Sequence, residues 1–196
     1  MNFHRFFVFF MLFAVLTLTE AAAKPAAQAP AQEPTAQAPT AAELSFLFTR
    51  QRGMASNQYA VWIEDAQGRH VKTLYATRFT ANGGWKKRET SIPLWVKQSD
   101  LANLSKAQVD SITRATPKTG ALTYRWDGTD SRNTALPPGN YTIYLEATLR
   151  MEKQVLYSAP IRLGQGPEAP AVKTEYSGDA GSDKEMISAV AVKTLR

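Results

Sequence analysis

The chain predicts an all-β fold, a sandwich of about eight strands with one short helix near 99–113, and two segments carry most of that reading. The first is Val61-Trp-Ile-Glu-Asp-Ala-Gln-Gly68-Arg-His-Val-Lys-Thr-Leu74. The second is Trp126-Asp-Gly-Thr-Asp-Ser-Arg-Asn-Thr-Ala-Leu-Pro-Pro-Gly139-Asn-Tyr-Thr-Ile-Tyr144. Each sets alternating apolar residues beside a polar turn containing glycine, the pattern of a half-buried strand entering or leaving a hairpin. A third observation is spacing. Strand-like runs recur about every ten residues with Gly, Pro or Asp between them, as in a two-sheet fold read in one dimension.

The N-terminus is not part of that fold. His4 and Arg5 precede an apolar run from Phe6 to Leu18 that ends in Ala21-Ala22-Ala23, a secretory signal with a small-residue cleavage site near Ala23. The run is shorter than the roughly 20 residues a spanning helix needs, so no integral membrane segment is expected after processing. From Lys24 to about Ala42 the chain is almost wholly Ala, Pro, Gln, Thr and Glu, too poor in apolar bulk to fold, and is read as an extended spacer. Residues 43–196 fit one sandwich domain. There is no cysteine, so in an oxidising compartment the domain rests on its core alone.

Within the domain, Leu44, Phe46 and Phe48 alternate with Ser45, Leu47 and Thr49, and Tyr59, Val61 and Ile63 alternate with Ala60, Trp62 and Glu64. These are the first two strands. Asp65-Ala-Gln-Gly68 is a turn in which glycine takes positive φ, and His70 to Tyr75 returns as the third strand. Ser91 to Val96 reads as a short edge strand, because Pro93 forbids a central one. Leu101, Leu104, Gln108 and Ile112 then fall at helical spacing, with Ser99 or Asp100 as the cap and Pro117 as the stop. Strand character resumes over 121–126, 140–149, 154–163, 172–176 and 186–194, and Ser177 to Lys184 reads as a polar turn.

The formal charge is +6, and removal of the signal leaves it unchanged because Arg5 and Glu20 leave together. A basic exported protein meets lipopolysaccharide, anionic lipid or an acidic envelope partner, and nucleic acid is not an expected target there. Only Lys86-Lys87-Arg88 forms a positive run, read as a solvated loop.

Catalytic side chains are few. The processed chain has one histidine, His70, and no thiol, so a triad would rest on His70 alone and zinc would need carboxylates. His70 itself reads as an exposed strand residue. No catalytic residue and no metal ligand is assigned. Asp127, Asp130 and Asn133 have oxygens at spacings that invite calcium, but the EF-hand pattern lacks its third-position acid and its distal Glu. They read instead as a turn whose aspartates bind their own backbone. Of the four tryptophans Trp126 reads as core, and Trp62, Trp85 and Trp95 would offer a glycan-binding face if exposed together.

The two segments quoted first resemble the immunoglobulin-like module of the bacterial flagellar hook-capping protein. Val61, Ile63, Asp65, Gly68, Val71, Thr73 and Leu74 match its first half, and Trp126, Asp127, Gly128, Asp130, Pro138, Gly139 and Tyr141 its second. Asn133 stands where that pattern often has glycine, and Asn is a frequent substitute at positive φ. With its signal and its closing strand around Met186 to Val190, the chain is more similar to a family of predicted periplasmic proteins, the domain of unknown function 2271, built on the same module. That resemblance implies export, an immunoglobulin-like sandwich and no assigned activity.

One further segment, Asp110-Ser-Ile-Thr113-Arg-Ala115-Thr116, resembles the motif on which a periplasmic flavin transferase attaches FMN to the last hydroxyl residue. The resemblance implies Thr116 as the attachment point and Asp110 and Thr113 as recognition or phosphate-proximal positions. Arg114 replaces the motif's glycine, denying its freedom while offering a charge that can pair with phosphate. Three expectations follow. The first is an exported, non-enzymatic accessory or binding protein of the envelope, without cofactor and with an envelope protein as partner. The second is an electron-transfer accessory with FMN on Thr116 and a membrane redox partner. The third is a glycan-binding module.

Overall fold

A computed structural model describes residues 40–53 and 57–195. The expected signal peptide and nearly all of the spacer lie outside the described residues. Ala41 and Ala42, which the composition assigns to the spacer, belong to the sandwich: both are fully buried, and the Ala41 N–H donates to the Trp126 carbonyl at 2.7 Å.

Among the described residues nine strands form two sheets, one more strand than the sequence suggested. In chain order they are β1 (Ala42–Phe48), β2 (Gln58–Asp65), β3 (His70–Thr77), β4 (Thr113–Arg114), β5 (Gly120–Trp126), β6 (Gly139–Arg150), β7 (Lys153–Leu163), β8 (Lys173–Ser177) and β9 (Ile187–Thr194). The smaller sheet runs β5-β1-β9 and the larger β4-β3-β2-β6-β7-β8. All neighbours are antiparallel except β3 and β4.

Alternation decides which side chains enter the core. Ala42, Leu44, Phe46 and Phe48 of β1 point inward against Val61, Ile63, Ile143 and Leu145 of the larger sheet, and Trp126, Ile187 and Val192 join them. Burying a side chain of this kind contributes roughly 1.5–3 kcal/mol. β7 alternates likewise, and its Pro160 is tolerated because β8 pairs only with Gln154 to Ser158, leaving β7 an edge farther along.

The second face of the larger sheet is also covered. The segment between β3 and β4 folds back over it as α1 (Trp85–Lys87), α2 (Pro93–Gln98), a 3₁₀ turn (Leu101–Asn103) and α3 (Lys106–Ile112). Its Ile92, Trp95, Leu101 and Val109 pack on Ala60, Trp62 and Ala76 in a second apolar cluster. β2 is therefore buried on both faces.

Two expectations about this insertion are corrected. Ser91 to Val96 contains no strand, because Pro93 starts α2, where its missing N–H costs nothing. The longer helix begins after Ser105 rather than Ser99. Ser105 Oγ accepts the Gln108 N–H while Gln108 Oε1 accepts the Ser105 N–H, a reciprocal cap that outcompetes the earlier candidates. The expected polar turn at 177–184 contains the start of a 3₁₀ helix, Gly181–Met186, and its Asp183 is buried against Arg150 and Lys153.

Candidate functional site

The two glycine-punctuated segments meet in space. Asp65 pairs with Tyr141 across β2 and β6, and Lys72 reaches from β3 into the turn after Trp126. Its Nζ donates to Asp127 Oδ1 at 3.2 Å, to Thr129 Oγ1 at 2.6 Å and to Asn133 Oδ1 at 3.2 Å. Burial pushes the Asp127 carboxyl up, but hydrogen bonds from Thr129 and Lys72 and the Lys72 charge outweigh it and hold the group below its ordinary value. Gly128 has φ 78° and Asn133 φ 61°, so Asn133 fills the left-handed position expected of it. Asp130 accepts the N–H groups of Arg132 and Thr134, both at 2.8 Å. Trp126 is fully buried, edge-on to Tyr141, whose Oη donates to the Pro137 carbonyl at 2.9 Å. Asp65 ties its own turn in the same manner, accepting the Gln67 and Arg69 N–H groups, with Gly68 at φ 72°. Gly139 opens β6 opposite Leu163.

A cavity opens where the two sheets part. β4 pairs only with Ala76 and Thr77, so the first half of β3 has no strand beside it on that side, and β5 is the edge of the smaller sheet. Two β-bulges in β3 bend this stretch further out of register. The space between the edges measures about 460 Å³, within the range of small-ligand sites. β3 contributes His70, Lys72 and Leu74 to its wall. Leu104, Gln108 and Ile112 come from the insertion, and Arg125 from β5. A depression of equal volume between β8 and β9 is more open to solvent.

Its polar groups are held by a relay through the insertion. Trp95 Nε1 donates to Thr73 Oγ1 at 3.0 Å, and Thr73 Oγ1 lies 2.8 Å from His70 Nε2. An indole nitrogen only donates, so the Thr73 hydroxyl keeps its own proton to give, and His70 Nε2 is its acceptor when the imidazole proton sits on Nδ1. Burial lowers the His70 pKa to about 4. Ser99 also lines the cavity, and its buried Oγ has no hydrogen-bond partner among the described residues.

A model of the family described as predicted periplasmic protein (DUF2271) matches residues 41–181. The chain belongs to the DUF2271 family. Comparison with the curated proteins and with solved structures gives no match. The family match spans the sandwich and the insertion, so the cavity wall is built entirely from DUF2271 residues.

Several site expectations change in this DUF2271 domain. His70 is half-buried and hydrogen-bonded rather than exposed, because the insertion covers its strand. Trp62 and Trp95 are each 0% exposed, which overturns the proposed tryptophan surface for glycans, and Trp126 is buried in the core as expected. Trp62 does face away from Val61 and Ile63, but it stacks on Tyr144 at 5.0 Å beneath the insertion.

The segment from Asp110 to Thr116 spans α3, β4 and the loop beyond. Asp110 is exposed and pairs with Lys106 at 3.1 Å, while Thr113 is buried beside Ala76. Arg114 is exposed and donates to the Ser111 and Thr113 carbonyls. It lies in the extended backbone of β4, where the freedom of glycine is not needed. Thr116 is half-buried past the strand, and the neighbouring Ala115 carbonyl accepts from Tyr75 Oη at 3.3 Å. Thr116 thus keeps part of its surface exposed, and Ser111 and Ile112 line the cavity.

Residues that sequence reasoning passed over are Thr73, Ser99 and Glu146. Thr73 entered only as a module match and Ser99 only as a helix cap. Glu146 lay unremarked within the predicted strand at 140–149, where it alternates with the apolar Leu145 and Ala147.

Proposed function

We propose that this protein is a non-enzymatic binding module of the cell envelope, with its ligand held in the cavity at the open edge of the sandwich. The observation that carries the reading is that cavity: an aliphatic wall of Leu74, Leu104 and Ile112 faces polar groups fixed by the Trp95–Thr73–His70 relay. His70 favours binding over catalysis. A base with a pKa near 4 is a weak proton acceptor at neutral pH, and its Nε2 is already engaged by a buried threonine. Native mass spectrometry of protein taken from its own envelope tests the reading. A small molecule retained by the wild type and lost from Leu104→Trp supports it. Turnover of a substrate abolished by one substitution overturns it.

A second reading, covalent FMN on Thr116, is favoured by the partial exposure of Thr116 at the end of a segment that also walls the cavity. A flavin would supply one- and two-electron transfer, and the protein would hold and tune it for a membrane redox partner. Arg114, exposed beside the attachment point, would pair with the phosphodiester. Intact mass decides this: one FMN less one water, absent from Thr116→Ala, supports it. Unmodified protein isolated with an active flavin transferase present eliminates it.

A further inference from the structure

We infer that the open-edge cavity recognises an acceptor oxygen, a carbonyl or a carboxylate, on a small molecule with an apolar body, and that the Nδ1–H of His70 and the hydroxyl of Ser99 supply the donors. The inference rests on the reading of this cavity as a binding site, and adds the chemical class.

Two independent observations point to it. The first is the direction of the relay. Trp95 Nε1–H can only give a hydrogen bond and Thr73 passes one on to His70 Nε2, so the ring is left with one free group, a donor at Nδ1. The second is Ser99. The residue is 5% exposed and lines the cavity, yet its Oγ has no partner among the described residues. A buried hydroxyl left unpaired is unfavourable, and a ligand oxygen would relieve it.

The charge around the cavity favours the same class. Its lining includes Lys72 and Arg125 and no acidic residue. Lys72 is saturated by Asp127, Thr129 and Asn133, so it biases the potential without offering a donor. Arg125 binds Glu43 through Nε at 2.7 Å and keeps its two terminal nitrogens. An electron-rich oxygen is attracted and an ammonium group is not. Leu74, Leu104 and Ile112 supply the apolar surface on which the body of the ligand would lie.

The test uses the full processed chain and three probes of one shape, 1-naphthoate, 1-naphthamide and 1-naphthylmethylamine, followed by NMR with ¹⁵N-labelled histidine. The expected result is the Nδ1–H tautomer in free protein, and a shift of that nitrogen with naphthoate and naphthamide but not with the amine. Ser99→Ala, which removes an unsatisfied hydroxyl and should fold normally, weakens the oxygen probes about tenfold, as does His70→Phe. Naphthoate preferred over naphthamide, with the preference lost in Arg125→Gln, identifies a carboxylate; equal affinities identify a carbonyl. An Nε2–H tautomer, equal binding of the amine, or affinities unchanged in Ser99→Ala overturns the inference. If every probe still loses affinity in Leu104→Trp, the cavity remains a binding site and only the donor pair is wrong. Failure of all three probes overturns the inference; a cavity that also carries nothing from the native envelope removes the underlying reading as well.

Discussion

Glu146 and Trp95 belong to different layers of the protein, and the carboxylate of the first accepts the backbone N–H of the second at 2.7 Å. The other Glu146 oxygen takes the Leu94 N–H at 3.0 Å. An acid from the sheet thereby caps α2, which has no side-chain cap of its own. Glu146 is 3% exposed. Burial raises its pKa to about 7, against the opposing pull of the Trp95 and Leu94 N–H groups.

Glu146 and His70 should give opposite pH dependences that cancel. Glu146 binds a proton more tightly folded than unfolded, so between its ordinary 4.5 and about 7 its contribution to stability falls as pH rises. His70 binds its proton less tightly folded, so between about 4 and its ordinary 6.5 stability rises with pH. Each slope approaches 1.4 kcal/mol per pH unit. Urea unfolding of the wild type is therefore expected to be nearly flat from pH 4.8 to 6.2 (about the window where both titrations overlap). Glu146→Gln should then rise with pH and His70→Gln should fall. Parallel curves for all three proteins contradict the assignment.

Thr148 supports the same helix. Its Oγ1 accepts the Ile92 N–H and donates to the Thr90 carbonyl, both at 2.9 Å. Thr148→Val keeps the shape but leaves the Ile92 N–H buried and unpaired, since Thr90 retains the Gln154 amide. The expected cost is about 1–3 kcal/mol, with faster hydrogen exchange at Ile92. Ile92 has φ 46°, a strained value for a β-branched residue, so this contact holds a backbone that would otherwise relax.

Asn133 combines a left-handed backbone with a hydrogen bond from Lys72. Both Asn133→Gly and Asn133→Ala lose the bond, but only alanine also meets the backbone strain. The alanine variant is expected to be less stable by about 1 kcal/mol, measured by denaturant midpoint. Equal stabilities would show that the strain is relieved elsewhere in the turn.

Tyr141→Phe removes the bond from Oη to the Pro137 carbonyl and nothing else from the Trp126 contact. A loss of about 1 kcal/mol in calorimetric or chemical unfolding is expected. A much larger loss would mean that the Trp126 packing depends on that hydroxyl.

Much of the sandwich is legible in the residues themselves. Period-two alternation marks β1, β2 and β7, and Asp65-to-Gly68 and Asp127-to-Asn133 satisfy their own backbone, so neither needs distant partners to be recognised. Even the Ser105–Gln108 cap is written as S-x-x-Q, although the eye settles on Ser99 six residues earlier.

What the sequence by itself determined are the features whose physics is local: most of the strands, their glycine and asparagine turns, and the inward face of each ribbon. The insertion and the cavity were decided only by the tertiary structure. α2 takes its cap from Glu146, Trp62 is hidden by Ile92 and Trp95, and His70 is tied through Thr73 to Trp95. Each of those contacts joins, directly or through Thr73, a sheet residue to the insertion. They become interior because a segment between two paired strands has an apolar side of its own and buries it on the nearest sheet face.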